Sequence, residues 1–308
     1  MDNGFCTILS KYRIYQGILL CRSLIYNQKR SSIYVLCIDN ETYSILSRLN
    51  MERVTLINSN QIEDDMLVAI KNQRQLNEYC WTLKPFLIEY ILNHFPNLGS
   101  VTYIDGDICF FNDPFPVCNE LNSSHILLSR HDFLDPHQGV ADTCGTYNSG
   151  YIVFKKSRVS LEALNWWKRQ CYEWCFDKAE GGRFGDQKYL DMLSVIIDGV
   201  GAIKTPGVNI APWNDERYGF HVRDGKVYVN GDKLICYHYS GFRIVDHDLF
   251  ALVLGNRQLI PAIHGPYVHL LKTIISEVGA LSPGFYAFEM EDKFRTMARF
   301  FKSAEVGV

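Results

Sequence analysis

Short apolar runs alternate with segments of helical periodicity along the first half of the chain. The apolar runs predict strands at four places: 5–9, 33–38, 54–57 and 101–104. The segments between them predict three helices: 17–26, one that begins near Glu41, and 75–95. Units of strand, helix and strand in this order are typical of a parallel sheet with right-handed crossovers.

The second half of the chain is less regular. It predicts strands at 126–129, 151–154 and 234–239, a hairpin of 218–223 with 226–230, and a tryptophan-rich helix over 161–176. Beyond residue 248 the apolar pattern predicts helical segments at 249–281 and 286–303. We therefore expect an α/β fold, a mixed and mostly parallel sheet flanked by helices. The main domain would cover 1–248, and a C-terminal helical extension would cover 249–308.

Composition narrows the class of protein. The 308 residues carry a formal net charge of −3, which argues against broad nucleic-acid binding because such binding needs a basic surface. No run approaches the about 18 apolar residues of a membrane span, and the N-terminus lacks the basic and apolar regions of a secretory signal. Several cysteines lie in strand-like apolar runs and none forms a C-x-x-C pair, so we expect reduced thiols in a cytoplasmic protein.

Two carboxylates stand where the strand 101–104 ends. Asp105 and Asp107 flank Gly106, and both would emerge at the carboxyl edge of the sheet, where open α/β sheets bind ligands. Hard oxygen ligands on a tight turn suit a divalent cation that also holds a diphosphate. Asp and Gly are also ordinary turn residues, so the turn by itself leaves both interpretations open.

A histidine ends another apolar run. His238 lies at the end of the strand predicted over 234–239, and Gly241 follows it with a backbone that can approach a phosphate. A lone histidine is more often a core or surface residue than a ligand. Together with the two aspartates it would suit Mn²⁺ or Mg²⁺ and leave positions open for phosphate oxygens.

Four further polar residues carry candidate chemistry. Asn148 could orient a polyol, and the Asp186–Gln187 pair could face a positive charge that develops on carbon. Lys84, on the long helix, could reach a diphosphate as a point charge. Each also has a structural interpretation, as a helix-cap or turn residue or, for Lys84, as a solvated helix lysine.

These elements, in this order over roughly residues 4–245, resemble the GT-A nucleotide-sugar glycosyltransferases. The likeness is most specific to the retaining family 8 group, which includes glycogenin and bacterial lipopolysaccharide glucosyl- and galactosyltransferases. It implies a GT-A (Rossmann-like) fold and transfer of a hexose from a nucleotide-diphosphate sugar, UDP-linked as in that family, to a hydroxyl acceptor with retention. It also implies bacterial surface polysaccharide or glycoconjugate synthesis, with a sugar, glycolipid or protein acceptor.

The resemblance also implies roles for individual residues. Those it assigns to a catalytic Mn²⁺ are Asp105, Asp107 and His238. Those it places at the nucleotide are Thr7, Tyr12 and Asp39. Those it places at the diphosphate or the donor sugar are Lys84, Asn148 and Gly241. Those it places at the anomeric carbon are Asp186 and Gln187.

The sequence departs from the family at three positions. A lysine usually follows the family's His-x-x-Gly and binds the diphosphate, whereas Phe242 and Arg243 follow here, which makes Arg243 the candidate substitute. Lys84 stands where arginine is frequent, so a bidentate fork is lost. The segment 209–214 has no obvious counterpart in smaller members, and its Trp213 would either stack on a sugar or base or belong to the core.

Two segments have more than one interpretation. The polar stretch 132–147 would be a lid or acceptor loop, or an ordinary surface loop. The segment 286–303 places apolar residues along one stripe of a predicted helix: Met290, Phe294, Met297 and Phe301. Such a helix with basic residues elsewhere could make peripheral contact with an anionic membrane, or it could pack on the core of the protein.

Two rival functions use the same architecture. A sugar-nucleotide nucleotidyltransferase usually carries a glycine-rich loop with a basic residue after the first strand, and the segment 10–17 lacks the Gly-Gly pattern. A non-catalytic sugar- or protein-binding module would not need a complete set of metal ligands. Both rivals are therefore disfavoured.

Overall fold

The computed structural model describes residues 2–134 and 138–308. In chain order, the strands of this part are β1 (Asp2–Leu9), β2 (Ile33–Cys37), β3 (Val54–Asn58), β4 (Leu98–Ile104), β5 (Ile108–Phe110), β6 (Ile126–Arg130), β7 (Tyr147–Lys155), β8 (Val200–Ala202), β9 (Phe220–Arg223), β10 (Lys226–Val229), β11 (Asp232–Lys233), β12 (Cys236–His238), β13 (Phe242–Asp246), β14 (Leu249–Leu252) and β15 (Arg299–Phe301). The helices are α1 (Ile14–Asn27), α2 (Asn40–Leu49), α3 (Asp65–Lys71), α4 (Leu76–His94), α5 (Phe115–Asn119), α6 (Gln138–Cys144), α7 (Arg158–Glu173), α8 (Tyr189–Ile196), α9 (Pro261–Leu281) and α10 (Asp292–Arg295).

A seven-stranded sheet forms the centre of the molecule, in the order β3-β2-β1-β4-β7-β6-β8. Strands β1 to β4 pair in parallel, as do β6 and β8, whereas β7 runs antiparallel to both of its neighbours. The predicted α/β fold with a mixed, mostly parallel sheet is confirmed.

Helices cover both faces of this sheet. Alternate residues of β1 point to opposite faces, so Phe5 and Leu9 join the core beneath α1 and α9, whereas Cys6 and Ile8 join the core beneath α4 and α7. A strand covered on both faces reads as a continuous apolar run. This is why β1 and β2 were recognisable as strands in the sequence.

Strands β5 and β12 form a small antiparallel pair beside the central sheet, with His238 opposite Ile108. The turn between β4 and β5 contains Asp105 and Asp107. Pairing of β5 with β12 therefore brings a histidine from late in the chain to the two aspartates.

The strand predicted at 151–154 begins earlier, at Tyr147. Asn148 and Gly150 consequently lie within β7 rather than in a turn before it. The neighbouring strand β4 ends at Ile104, which pairs with Tyr151. Asn148 and Gly150, just before Tyr151, therefore lie beside the turn that contains Asp105 and Asp107.

The C-terminal part differs from its prediction. Helix α9 confirms a helix in the segment 249–281, but that segment begins with strand β14. The segment 286–303, predicted as one amphipathic helix, contains only the short α10 and the strand β15, which pairs with β14. The helical prediction for 286–303 is wrong, and its apolar residues do not form one helical stripe. The domain boundary after residue 248 stays a prediction, and β13 and β14 pair across it.

Within the described residues, none of the helices combines the length and the apolar character needed to cross a membrane. All ten cysteines lie in this part of the chain and are free. Of the predicted lid 132–147, residues 135–137 lie outside the described part, and most of the remainder forms α6 and the start of β7.

Candidate active site

Two aspartates and a histidine converge at the carboxyl edge of β4. Nε2 of His238 lies 3.0 Å from Oδ1 of Asp107 and 3.9 Å from Oδ2 of Asp105. One ligand atom from each residue lies within 4.8 Å of the others. Ligands bound at about 2.1 Å around an octahedral cation lie about 3 Å apart when adjacent. The spacing of the three side chains therefore fits a divalent cation.

Gly150 leaves the room that this arrangement needs. A Cβ at this position would lie 2.6 Å from Cε1 of His238 and 2.9 Å from Oδ2 of Asp105. Any larger residue would push the histidine and one carboxylate apart. The room left by Gly150 allows His238 and Asp105 to converge. The oxygen and nitrogen donor set fits Mn²⁺ or Mg²⁺.

Charge balance within the cluster holds His238 and Asp107 as an ion pair. Burial disfavours the charged form of His238, but the charge and the hydrogen bond of Asp107, together with the charge of Asp105, outweigh burial and raise the pKa of His238. Burial likewise disfavours the charged form of Asp107, but His238 outweighs it and the pKa of Asp107 is lowered. A cation at this site would take the place of the histidine proton, since a metal ligand must be deprotonated.

Asp105, Asp107 and His238 form a candidate metal-ligand cluster. Lys84 joins this cluster to the Asp186–Gln187 pair. It lies on α4 and is 1% exposed. Its Nζ lies 3.0 Å from Oδ1 of Asp105 and 3.4 Å from Oδ2 of Asp186, and it donates to Oγ of Ser149 at 2.8 Å. Burial opposes the charge of Lys84, but the two carboxylates outweigh it and its pKa is raised. The interpretation of Lys84 as a solvated helix lysine is wrong.

Asp186 is a buried carboxylate, 2% exposed. Burial raises its pKa, although the charge of Lys84 acts in the opposite direction. Its backbone oxygen accepts a hydrogen bond from Nε1 of Trp167, which fixes the turn before α8. Lys84 contacts both Asp186 and Asp105, and so connects Asp186 to the metal-ligand cluster.

Asn148 lies at the centre of a polar network on β7. Its Oδ1 accepts the backbone N–H of Gly150 at 3.0 Å, which leaves its Nδ2 to face Oε1 of Gln187 at 3.5 Å and Nε2 of His131 at 3.3 Å. Burial lowers the pKa of His131 to about 4, so its ring is neutral and Nε2 can accept. The structure thus brings Asn148 and Gln187 together, and their roles at a donor sugar stay predictions.

Trp213 packs against two histidines of the site. Its ring centre lies 5.2 Å from that of His238 and 5.4 Å from that of His131, both in edge-to-face geometry. Its Nε1 is buried and has no hydrogen-bond partner among the described residues. Contact with His238 places Trp213 in the wall of the candidate site, and stacking on a sugar or base stays a prediction.

The residues expected at the nucleotide occupy three different environments. Thr7 on β1 is fully buried, and its Oγ1 lacks a hydrogen-bond partner among the described residues. Asp39 caps α2 by accepting from the N–H of Thr42 at 2.7 Å, and it also accepts from the N–H of Lys11 at 2.9 Å. Tyr12 is 43% exposed and borders the surface. Their roles at a nucleotide stay predictions.

Gly241 and Arg243 follow His238 in the chain. Gly241 has φ of +77°, a conformation that favours glycine. Arg243 is 8% exposed, and its Nη2 donates to Oε1 of Glu291 at 3.3 Å. Burial lowers its pKa, and the neighbouring Arg13 adds to that shift while Asp107 opposes it. The charges of Arg13 and Arg243 thus lie near the metal-ligand cluster.

Sequence analysis missed several residues of the site. Tyr103 donates to Oδ1 of Asp105 at 3.0 Å, and strand periodicity could have found it, because residues two apart on a strand share a face. Ser149, beside Asn148, contacts Lys84. His131 and Asn209 join the site through contacts distant in sequence, for which no local signal exists.

Comparison with known proteins finds a matching family and two related sequences. The family model described as nucleotide-diphospho-sugar transferase matches residues 28–195. The uncharacterized protein YfnF of Bacillus subtilis (strain 168) is 38% identical over 300 residues, which cover 95% of this chain and 99% of the relative. The uncharacterized protein YfnD of the same strain is 31% identical over 287 residues, with coverage of 91% and 92%.

A solved structure supports the fold. The galactosyltransferase LgtC in complex with donor and acceptor sugar analogs has a TM-score of 0.57 at 13% sequence identity, over 96% of this chain and 99% of that chain. The predicted likeness to the GT-A glycosyltransferases is thereby confirmed at the level of the fold. By family match and by relatives aligned over nearly their whole length, this chain belongs to the nucleotide-diphospho-sugar transferase family.

Proposed function

We propose that this protein is a metal-dependent hexosyltransferase that uses a nucleotide-diphosphate sugar, with UDP as the nucleotide and a hydroxyl group as the acceptor. The observation that carries the proposal is the chain of charges from His238 through Asp105 and Lys84 to Asp186, of which all but Asp105 are buried. It connects a cation site to a carboxylate within one continuous site. A donor sugar bound through its diphosphate at one end would present its anomeric carbon to the other.

The proposed roles follow from charge and position. Asp105, Asp107 and His238 would hold Mn²⁺ or Mg²⁺, which when bound neutralises negative charge on the departing diphosphate. Lys84 keeps Asp105 and Asp186 fixed, so the site needs little rearrangement when charge develops. Arg243 lies where a second positive charge would serve the diphosphate.

Asp186 and Gln187 are proposed to stabilise the anomeric centre as it becomes positively charged. We propose front-face attack with retention. In this step the acceptor oxygen bonds to the anomeric carbon, the bond from that carbon to the phosphate oxygen breaks, and the acceptor proton passes to the departing phosphate. Closure of the segment 132–147 would exclude water from the activated donor.

The proposal also covers the biological setting. LgtC is described as a galactosyltransferase that binds donor and acceptor sugar analogs, and the shared fold suggests a hexose donor. We place the reaction in bacterial surface polysaccharide or glycoconjugate synthesis, with a sugar, glycolipid or protein as acceptor.

Nucleotide binding and donor hydrolysis test the proposal. Calorimetric titration with UDP, with Mn²⁺ and then with excess chelator, should give binding that the chelator abolishes. Asp107→Ala should abolish the metal-dependent binding and leave the circular dichroism spectrum unchanged. The matched control is Asp232→Ala, which removes an exposed carboxylate on β11 and should bind as the wild type does.

The rival functions predict different results. Absence of nucleotide binding, with no hydrolysis of any nucleotide-sugar, would favour a sugar- or protein-binding module. Formation of pyrophosphate from a sugar phosphate and a nucleoside triphosphate would favour a nucleotidyltransferase. The anomeric configuration of the product, read by NMR, tests retention, and an inverted anomer would contradict it.

A further inference from the structure

Asn209 lies between the metal-ligand cluster and the donor-sugar side of the site. It is 1% exposed, in the segment that connects β8 with the hairpin β9–β10. Its Oδ1 lies 3.1 Å from Nδ1 of His238, and its Nδ2 donates to Oδ1 of Asn148 at 3.1 Å. One amide therefore contacts a metal-ligand residue and a residue of the donor-sugar side.

The direction of each hydrogen bond follows from a single backbone donor. The N–H of Gly150 can only donate, which makes the atom of Asn148 that it meets the carbonyl oxygen. That oxygen accepts from Nδ2 of Asn209, so Oδ1 of Asn209 must face His238. An amide oxygen can only accept, and Nδ1 of His238 therefore carries a hydrogen.

This orientation leaves Nε2 of His238 facing the carboxylates of Asp105 and Asp107. A histidine ligand binds a cation through the ring nitrogen that carries no proton, and a hydrogen bond at the other nitrogen fixes that choice. Asn209 supplies this second hydrogen bond.

The backbone holds Asn209 in register with β12. Its φ is +55°, a left-handed conformation that asparagine and glycine tolerate. The N–H of His238 donates to the carbonyl of Ile210 at 2.8 Å, and Ile210 forms a parallel bridge with Tyr237. Asn209 is thus fixed to the strand that carries His238.

We infer that Asn209 is a positioning residue with two separable effects. Its carbonyl oxygen orients His238 for the cation, and its amide group holds Asn148 in place on the donor-sugar side. The inference rests on the proposed function, because it assumes that the cluster of Asp105, Asp107 and His238 binds a divalent cation. Loss of such an outer hydrogen bond weakens metal affinity by about 10- to 100-fold.

Two variants separate the two effects. Asn209→Gly removes both hydrogen bonds and accepts the left-handed backbone. Asn209→Asp keeps an oxygen toward His238 but places a second oxygen against Oδ1 of Asn148. The matched control is Asn230→Gly, because Asn230 also has a positive φ of +51° and lies in an exposed turn.

The first measurement is a titration of the protein with Mn²⁺ in the absence of nucleotide, in which electron paramagnetic resonance detects the free ion. Asn209→Gly should raise the dissociation constant about 10- to 100-fold. Asn209→Asp and Asn230→Gly should stay within about threefold of the wild type, and all variants should keep the metal-free melting temperature within a few degrees. The second measurement is donor hydrolysis at saturating Mn²⁺, in which Asn209→Asp should lower kcat/KM while Asn230→Gly leaves it unchanged.

The outcomes distinguish this inference from the proposed function. Absence of Mn²⁺ binding to the wild type would overturn the proposed function. Binding by the wild type and equal binding by Asn209→Gly would overturn the inference alone. Equal donor hydrolysis by Asn209→Asp and wild type would overturn the second of the two effects.

Discussion

The ammonium nitrogen of Lys84 lies 3.0 Å from Oδ1 of Asp105, inside a site where only 1% of the lysine is exposed. A buried charge without a partner costs far more than an exposed one, because the protein interior solvates it poorly. Lys84 also contacts Asp186, so two acidic groups depend on one cation. The first prediction tests how far Asp105 and Asp186 depend on the charge of Lys84.

Lys84→Met should lower the free energy of unfolding by about 3–5 kcal/mol, because it leaves the buried carboxylate of Asp186 unpaired. Urea unfolding measures the change. The double variant Lys84→Met with Asp186→Asn should recover part of the loss, since it removes the stranded charge. A single variant as stable as the wild type would show that Lys84 does not stabilise the two acidic groups.

Gly150→Ala should impair metal binding more than folding. The added Cβ would meet Cε1 of His238 at 2.6 Å and Oδ2 of Asp105 at 2.9 Å, so the ligands must move apart. We expect Mn²⁺ affinity to fall by at least about tenfold, with a stability cost of about 1–3 kcal/mol. Gly279→Ala is the control, because a Cβ there meets nothing within 4 Å, and it should leave metal binding unchanged. Unaltered affinity in Gly150→Ala would mean that the cation binds elsewhere.

Arg243 and Glu291 should have opposite effects on donor binding. Arg243→Ala should raise the KM for the donor about tenfold or more, as expected for loss of a hydrogen bond to a charged group. Glu291→Gln should lower that KM, because the guanidinium would no longer be shared with a carboxylate. Glu289→Gln changes the same charge in the same segment and should have no effect. Equal KM values for Arg243→Ala and the wild type would exclude Arg243 from the diphosphate contact.

Acid should destabilise the protein in part through His131. Burial lowers the pKa of His131 from 6.5 to about 4, so between these values the unfolded chain binds a proton that the folded protein does not. Stability therefore rises with pH across this window and is lost as the pH falls through it. His131→Gln should lose about 2 kcal/mol less than the wild type between pH 7 and pH 5, as measured by urea unfolding. The exposed His221→Gln should keep the wild-type dependence, and an unchanged slope in His131→Gln would refute the assignment.

Local patterns sufficed for the sheet and for the order of the site residues. Strands buried on both faces gave continuous apolar runs, and the polar residues at their ends marked the carboxyl edge of the sheet. Asp105, Asp107 and His238 were predicted to meet, and the pairing of β5 with β12 brings them together. What local pattern could not supply was the burial of Lys84 between Asp105 and Asp186.

The C-terminal segment shows where periodicity misleads. Met290, Phe294, Met297 and Phe301 recur at helical spacing, yet Phe301 is buried in a strand, Phe294 packs on the guanidinium of Arg243, and Met297 is 53% exposed. Tertiary packing overrode the local preference of a short segment. The contacts of Asn209 were likewise not predicted, because its partners Asn148 and His238 are distant in sequence.

The pairing of β5 with β12 has a consequence for the protein as it is made. Both aspartates leave the ribosome long before the imidazole of His238, and the chain made between them contains three strands of the central sheet, β6, β7 and β8. A growing chain therefore exposes two carboxylates with neither His238 nor Asn209 beside them. Under the proposed function, the complete set of metal ligands exists only after residue 238 has been made, so the choice among cellular cations would belong to the finished protein rather than to the nascent one.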